Sequence, residues 1–223
     1  MKHFLKVVVI GVCAGIALAI FKESLAVDDT LFWRWYLAAG AAIVVGAAAF
    51  NILYARHYAK KMQKLVPLLE SGQSAAYLAG LEELLGTVKT RGLRDMLQLN
   101  LSAGYCEMER YEEAIAVLER IKFGGSRAPE AVRRINLCVC LFRTGRAAEA
   151  MELYRGSEKW FAPFRGKEPY GGNIEVLDIH AAMAEGRYGE ARTMLEHARE
   201  AWDKPRLRKY FDQLEQLIKD NEL

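Results

Sequence analysis

No Gly-rich phosphate loop, Gly-x-Ser-x-Gly elbow, His-Glu-x-x-His pair or Gly-rich dinucleotide turn occurs in these 223 residues. The four histidines (His3, His57, His180 and His197) are scattered along the chain. Excess charge is also missing: the formal balance is +3, too small for a nucleic-acid-binding face. Cysteine is sparse, with four in all. Cys138 and Cys140 are two apart on a predicted helix, so their side chains diverge by about 200° and share a tetrahedral ion poorly. Small core packing is the reading for the cysteines, in keeping with a reducing compartment. These gaps predict a protein that is not an enzyme and that carries no cofactor or metal.

What the chain does have is apolar length. One run extends from Phe4 to Phe21, interrupted by Lys6, and a second from Leu31 to Tyr54. A membrane helix needs about 20 mostly apolar residues to cross a hydrocarbon core of roughly 30 Å. Both runs meet that length, so residues 1–54 are predicted to form a transmembrane helical hairpin with spans at about 4–21 and 31–54.

Flanking charge sets the orientation. Lys2 and Lys6 precede the first span, and Arg56, Lys60, Lys61 and Lys64 come after the second. The loop between them holds Glu23, Asp28 and Asp29 against Lys22. Short basic flanks stay on the cytoplasmic side, so both termini are expected inside, with the protein integral to a cell (inner or plasma) membrane. Trp33, Trp35 and Tyr36 match an interfacial aromatic belt, and Arg34 can snorkel among them. The basic cluster after the second span can also meet anionic lipid headgroups.

A competing reading is a cleaved signal peptide, with Lys2–Lys6 as its charged region, Val7–Ile20 as its apolar region and Ser24-Leu25-Ala26 as its cleavage site. Small residues line both spans: Gly11 and Gly15 in the first, Ala38, Ala42 and Gly46 in the second. Such stripes let helices approach closely in lipid. The two spans can pack on each other, or the stripe can serve a homodimer or another membrane protein.

Beyond Tyr54 the composition turns to Leu, Ala, Glu, Lys and Arg at helical spacing, with three related segments. In the first, Leu101, Ser102 and Tyr105 lead to Tyr111, Ala114, Leu118 and Ile121. In the second, Leu137, Cys138 and Leu141 lead through Gly145 to Ala147, Ala150 and Tyr154. In the third, Ile179 and Ala182 lead through Gly186 to Tyr188, Ala191, Leu195 and Ala198. Gly145 and Gly186 suit tight inter-helix turns, and the alanines admit a close second helix.

This pattern resembles the tetratricopeptide repeat (TPR), a pair of helices about 34 residues long. The spacing departs from it, at 36 and then 41 residues between equivalent positions, and Glu109 stands where Gly is usual. The fold expected is therefore all-α: the transmembrane hairpin, then a TPR-like α-solenoid of three to four helix pairs, ending in a C-terminal capping helix at Pro205–Asn221. Residues 55–90 are read as a membrane-exit helix and a degenerate helix pair, Ala59–Glu70 and Ser74–Leu85, with a kink or break at Pro67. Residues 91–223 hold the repeats and the cap. The overall layout is loosely similar to bacterial inner-membrane repeat proteins of the HemY type.

The resemblance also implies a site. The first helices of such repeats line a concave face that holds a peptide or a partner helix. Asn100 and Asn136 sit at equivalent positions where the family often hydrogen-bonds a peptide backbone, and Phe142, Arg143 and His180 are expected on the same surface. The positions that would clamp a C-terminal carboxylate hold Leu99, Ala103, Asn173 and Leu177, which lack the charge for it. A second surface is the insertion Gly156–Gly172, with Trp160, Phe161, Phe164 and Tyr170; these aromatics either anchor a partner or fold back to close the core. The function expected is a membrane-anchored scaffold or adaptor that binds protein partners at the cytoplasmic face. The alternative is an accessory or regulatory subunit of a membrane enzyme or translocation complex, contacting it through the transmembrane helices.

Overall fold

A computed structural model describes residues 28–221 and, before them, Gly15, Ala17, Leu18, Ile20 and Lys22 in helical conformation. Gly11 and most of the first apolar run lie outside the described residues. The described chain is helical and contains no strand. Its helices are α1 (Asp29–Glu70), α2 (Ser74–Thr87), α3 (Arg91–Glu107), α4 (Tyr111–Arg120), α5 (Arg127–Arg143), α6 (Ala147–Arg155), α7 (Glu158–Phe161), α8 (Gly171–Ala184), α9 (Tyr188–Ala201) and α10 (Pro205–Asn221). A short 3₁₀ turn, Ala162–Phe164, comes directly after α7. The chain divides into two compact units at His57 and Tyr58.

In the N-terminal unit, Asp28 caps α1 by accepting the Leu31 backbone N–H at 3.0 Å. From Leu31 to Leu53 the large apolar side chains other than the half-buried Phe32 stand exposed, with Ile43 at 72% and Phe50 at 68%. The helix does not stop at Tyr54. No helix breaker separates Tyr54 from Ala59, so the second apolar run and the expected exit segment form one 42-residue helix. Pro67 neither breaks nor ends it. Helical structure continues to Glu70, because a proline in the last turn removes only one late hydrogen bond.

The C-terminal unit is built from helix pairs closed by one recurring turn. The backbone N–H groups of Gln73, Arg110, Arg146 and Arg187 bond the carbonyls of Leu68, Tyr105, Leu141 and Ala182 at 2.8–2.9 Å. In each turn the preceding residue has positive φ: Gly72 at 77°, Glu109 at 59°, Gly145 at 75° and Gly186 at 75°. This is the Schellman arrangement, which consumes the last free helix carbonyls.

Glu109 alone carries a side chain there, and its carboxylate is exposed. A left-handed conformation costs an L-residue roughly 1–2 kcal/mol, partly offset by the extra freedom glycine gives the unfolded chain. Glu109→Gly is therefore expected to stabilise the unit by about 1 kcal/mol, read as a higher urea midpoint at unchanged slope.

The alanines predicted to admit the second helix, Ala114, Ala150 and Ala191, are fully buried. One core cluster gathers Leu118, Ile121, Leu137, Cys140 and Leu141 between α3, α4, α5 and α6. Another gathers Phe161, Ile174, Leu177, Leu195, Phe211 and Leu214 around α8, α9 and α10. At the other end, Tyr77, Leu78 and Leu81 of α2 are buried, and Leu65 of α1 packs against Gly80. The α8 start lies flat against the C-terminal segment: a Cβ on Gly171 would meet the Trp202 ring at 2.6 Å, and one on Gly172 would meet Leu207 at 2.6 Å. A side chain at either place would have to displace the Trp202 ring or the Leu207 methyl.

The segment between α6 and α8 folds inward. Phe161 is fully buried in the core, while Trp160, Phe164 and Tyr170 are half-buried against it. Phe164 and Tyr170 meet edge to face at 5.1 Å, and the Arg134 guanidinium lies 5.4 Å from the Trp160 ring centre.

Candidate functional site

The side chains singled out as partner contacts fall in three separate places. Asn100 is half-buried on α3. Its Nδ2 donates to the Met96 carbonyl at 2.8 Å and lies 3.9 Å from Met62 Sδ, on the Tyr58–Glu70 end of α1. Its amide is thus turned onto its own helix, with the end of α1 beside it.

Asn136 lines a small cavity of about 20 Å³ shared by four helices: Cys106 from α3, Ile135 and Val139 from α5, Asn173 and Val176 from α8, and Arg206 and Tyr210 from α10. The C-terminal helix crosses this face and anchors far back in the chain. Arg206 Nε donates to Glu107 Oε1 at 2.7 Å, Tyr210 Oη donates to the same oxygen at 3.5 Å, and Lys209 Nζ lies 3.8 Å from Oε2. Burial pushes the Tyr210 phenol up, and Tyr77 is likewise pushed up to about 12. These tyrosines stay neutral. The α5–α8 face that carries Asn136 is therefore covered by the chain's own helix.

Phe142, Arg143 and His180 do come together. The His180 and Phe142 rings stack at 5.0 Å with planes 6° apart. Arg143 Nε donates to Tyr111 Oη at 3.2 Å, its guanidinium lying over that ring. His180 is only 7% exposed, so it packs as an aromatic plate and offers no open contact. Burial, with the Arg143 charge adding to it, pushes the imidazole down to about 4.

This depressed value makes the fold weaker in acid. Between pH about 6.5 and 4 the unfolded chain takes up a proton that the folded chain refuses, so stability falls as pH falls across that window, by about 3 kcal/mol in full. Replacing His180 by Leu is expected to flatten that portion of the pH–stability curve, measured by urea unfolding in detergent at pH 7 and pH 4.5.

Two features carry no signal in motif reading. An open depression of about 310 Å³ is lined by Glu175, Ile179, Thr193, Met194 and His197, on α8 and α9. A buried ionic knot sits at the head of α5. Glu130, 6% exposed, accepts from Arg133 Nη2 at 2.7 Å and Arg134 Nε at 2.7 Å. Arg134 continues to Ser157 Oγ at 2.9 Å, and Arg133 to the Leu118 carbonyl at 3.2 Å. Burial raises the Glu130 carboxyl, yet the two guanidiniums outweigh it and hold the group below its ordinary range. A similar bridge joins α6, the loop after the 3₁₀ turn and α8: Asp178 accepts from Tyr154 Oη at 2.5 Å and from Arg165 Nη1 at 2.6 Å.

Of the small-residue stripe, Ala38, Ala42 and Gly46 are exposed on α1, and a Cβ added at Gly15, Gly40 or Gly46 would meet nothing within 4 Å. Among the described residues no three or more His, Cys, Asp or Glu side chains gather as metal ligands. No protein-family model matches this chain, and no curated protein or solved structure matches it either.

Proposed function

We propose that this chain is a membrane-anchored helical scaffold whose C-terminal unit, stacked in the tetratricopeptide manner, binds protein partners at the cytoplasmic face without chemistry of its own. One observation carries the reading: α1 is long and apolar enough to cross a membrane, and none of its apolar stretch is buried within the protein. A core helix of a water-soluble protein would bury that surface, whose large side chains are each worth about 1.5–3 kcal/mol out of water. The basic residues from Arg56 to Lys64, exposed at the end of that stretch, support an inside location for the C-terminal unit. The four matching turns support the repeat reading, since a shared Schellman closure at each pair is what a repeated unit produces.

A second reading, an accessory subunit held through its transmembrane helices, is favoured by the open space beside Gly40 and Gly46. With α10 over Asn136 and Met62 beside Asn100, the inner asparagines are poorly placed for a peptide, and the apolar α8–α9 depression is the better contact. Carbonate extraction tests the anchor: the protein should stay with the membrane pellet, and recovery in the aqueous wash would end this reading. Co-purification in mild detergent then separates the two modes. Loss of partner with Met194→Glu supports the scaffold, and loss only with Gly46→Leu supports the intramembrane subunit.

A further inference from the structure

Cys106 and Cys140 are both buried free thiols, and their Sγ atoms stand 3.1 Å apart. They come from the last turn of α3 and the last turn of α5, 34 residues apart in sequence, so the stacking of one helix pair on the next brings them together. A disulfide has an S–S length of about 2.05 Å, so closure asks for roughly 1 Å of approach. We propose that Cys106 and Cys140 are a redox-responsive pair, which a small peroxide closes into a disulfide joining α3 to α5.

The surroundings assign the two sulfurs different parts. Cys106 keeps 7% exposure and borders the small cavity of about 20 Å³ beneath α10, so it is the more accessible of the two sulfurs. Cys140 is completely buried, and both its hydrogen bond with Cys106 and burial push its thiol up. Cys106 is therefore the thiol that meets the oxidant. Its sulfur attacks one peroxide oxygen; the O–O bond breaks, and the thiol proton passes to the departing oxygen, which leaves as water. The resulting sulfenic acid is attacked by Cys140 sulfur, the S–O bond breaks, an S–S bond forms and a second water leaves. The sum is two thiols and one hydrogen peroxide to one disulfide and two waters, with the peroxide taking both electrons.

Cys138 does not share in this. It lies on another side of α5, with its Sγ 3.9 Å from the Ala150 carbonyl, and burial pushes its thiol up to about 12. The site also has a mechanical reach. Glu107, next to Cys106, is the carboxylate on which Arg206 and Tyr210 of α10 anchor. A disulfide would tie that landing point to α5. Where disulfides form in reducing compartments they are usually transient sensors of this kind.

The test uses the full-length protein in mild detergent, exposed to a few equivalents of hydrogen peroxide. The remaining thiols are alkylated under denaturing conditions and the peptides mapped by mass spectrometry. The expected result is a linked peptide pair containing Cys106 and Cys140, restored to two thiols by dithiothreitol, with Cys138 alkylated throughout. In Cys140→Ser the expected product is a dimedone adduct on Cys106. Alkylation of both Cys106 and Cys140 in the peroxide-treated native protein would overturn the proposal. So would sulfinic acid on Cys106 beside a free Cys140, or a linkage that includes Cys13 or Cys138.

Discussion

Removing residues 1–57 is expected to convert a chain that needs detergent into one that stays dispersed in water as a folded helical protein. The cut falls at the boundary between the two compact units. It deletes the exposed Leu31, Trp33, Trp35, Leu37, Ile43, Val44, Val45, Phe50, Ile52 and Leu53 together. Each of these costs about 1.5–3 kcal/mol when held in water rather than in an apolar phase, so the cut removes a large apolar burden. What remains keeps its own cores, from Tyr77 and Leu81 through Leu118 and Leu141 to Leu177 and Phe211. Size-exclusion chromatography without detergent, with circular dichroism on the eluted peak, checks this. Aggregation or loss of helical signal would show that the apolar segment belongs to the core of a soluble fold.

Glu130→Ala is expected to destabilise the C-terminal unit by about 3–5 kcal/mol. The carboxylate is buried and holds two guanidiniums. Truncating it leaves Arg133 and Arg134 half-buried with like charges side by side. Arg134 also fixes Ser157 and packs over Trp160, so the loss spreads to the start of α7. Replacing all three charges with apolar residues of similar volume should recover much of the cost, because the penalty comes from unpaired charge rather than from the absence of the pair.

The pH dependence has a defined sign. Glu130 is held below its ordinary range, so its contribution is complete above the unfolded carboxyl value of about 4.3 and is lost as pH falls through the folded one. Urea midpoints of the native chain and of Glu130→Ala should converge in acid. A constant gap down to pH 2 would argue that shape, rather than charge, accounts for the loss.

Much of the helical layout is readable from local patterns. Apolar length marks the Leu31–Tyr54 stretch, three- and four-residue spacing marks α10, and Gly145 and Gly186 sit at the turns between paired helices. Glu109 is the instructive exception, since it adopts the same left-handed turn without glycine; the turn is set by the packing of α3 on α4, which over-determines a single strained residue. The candidate contacts are harder to read. Periodicity places Asn136 and His180 on a helix face but does not say what lies against it. The Arg206–Glu107 contact spans 99 residues, and the phasing of α10 alone cannot reveal which carboxylate it meets. The cysteine pair leaves one trace, a separation of 34 residues.

By itself the sequence determined the all-helical class of the described chain, the apolar segment that water disfavours, and small residues such as Ala114, Ala150 and Ala191 at which helices draw close. These depend on neighbours a few positions apart, and so are written in local order. Tertiary structure alone decided that α10 lies across Asn136, that His180 is enclosed and neutral, that Glu130 binds two arginines, and that two distant thiols touch. Each of those depends on which faces meet across dozens of residues, and that meeting is fixed by the joint fit of many side chains in a close-packed interior.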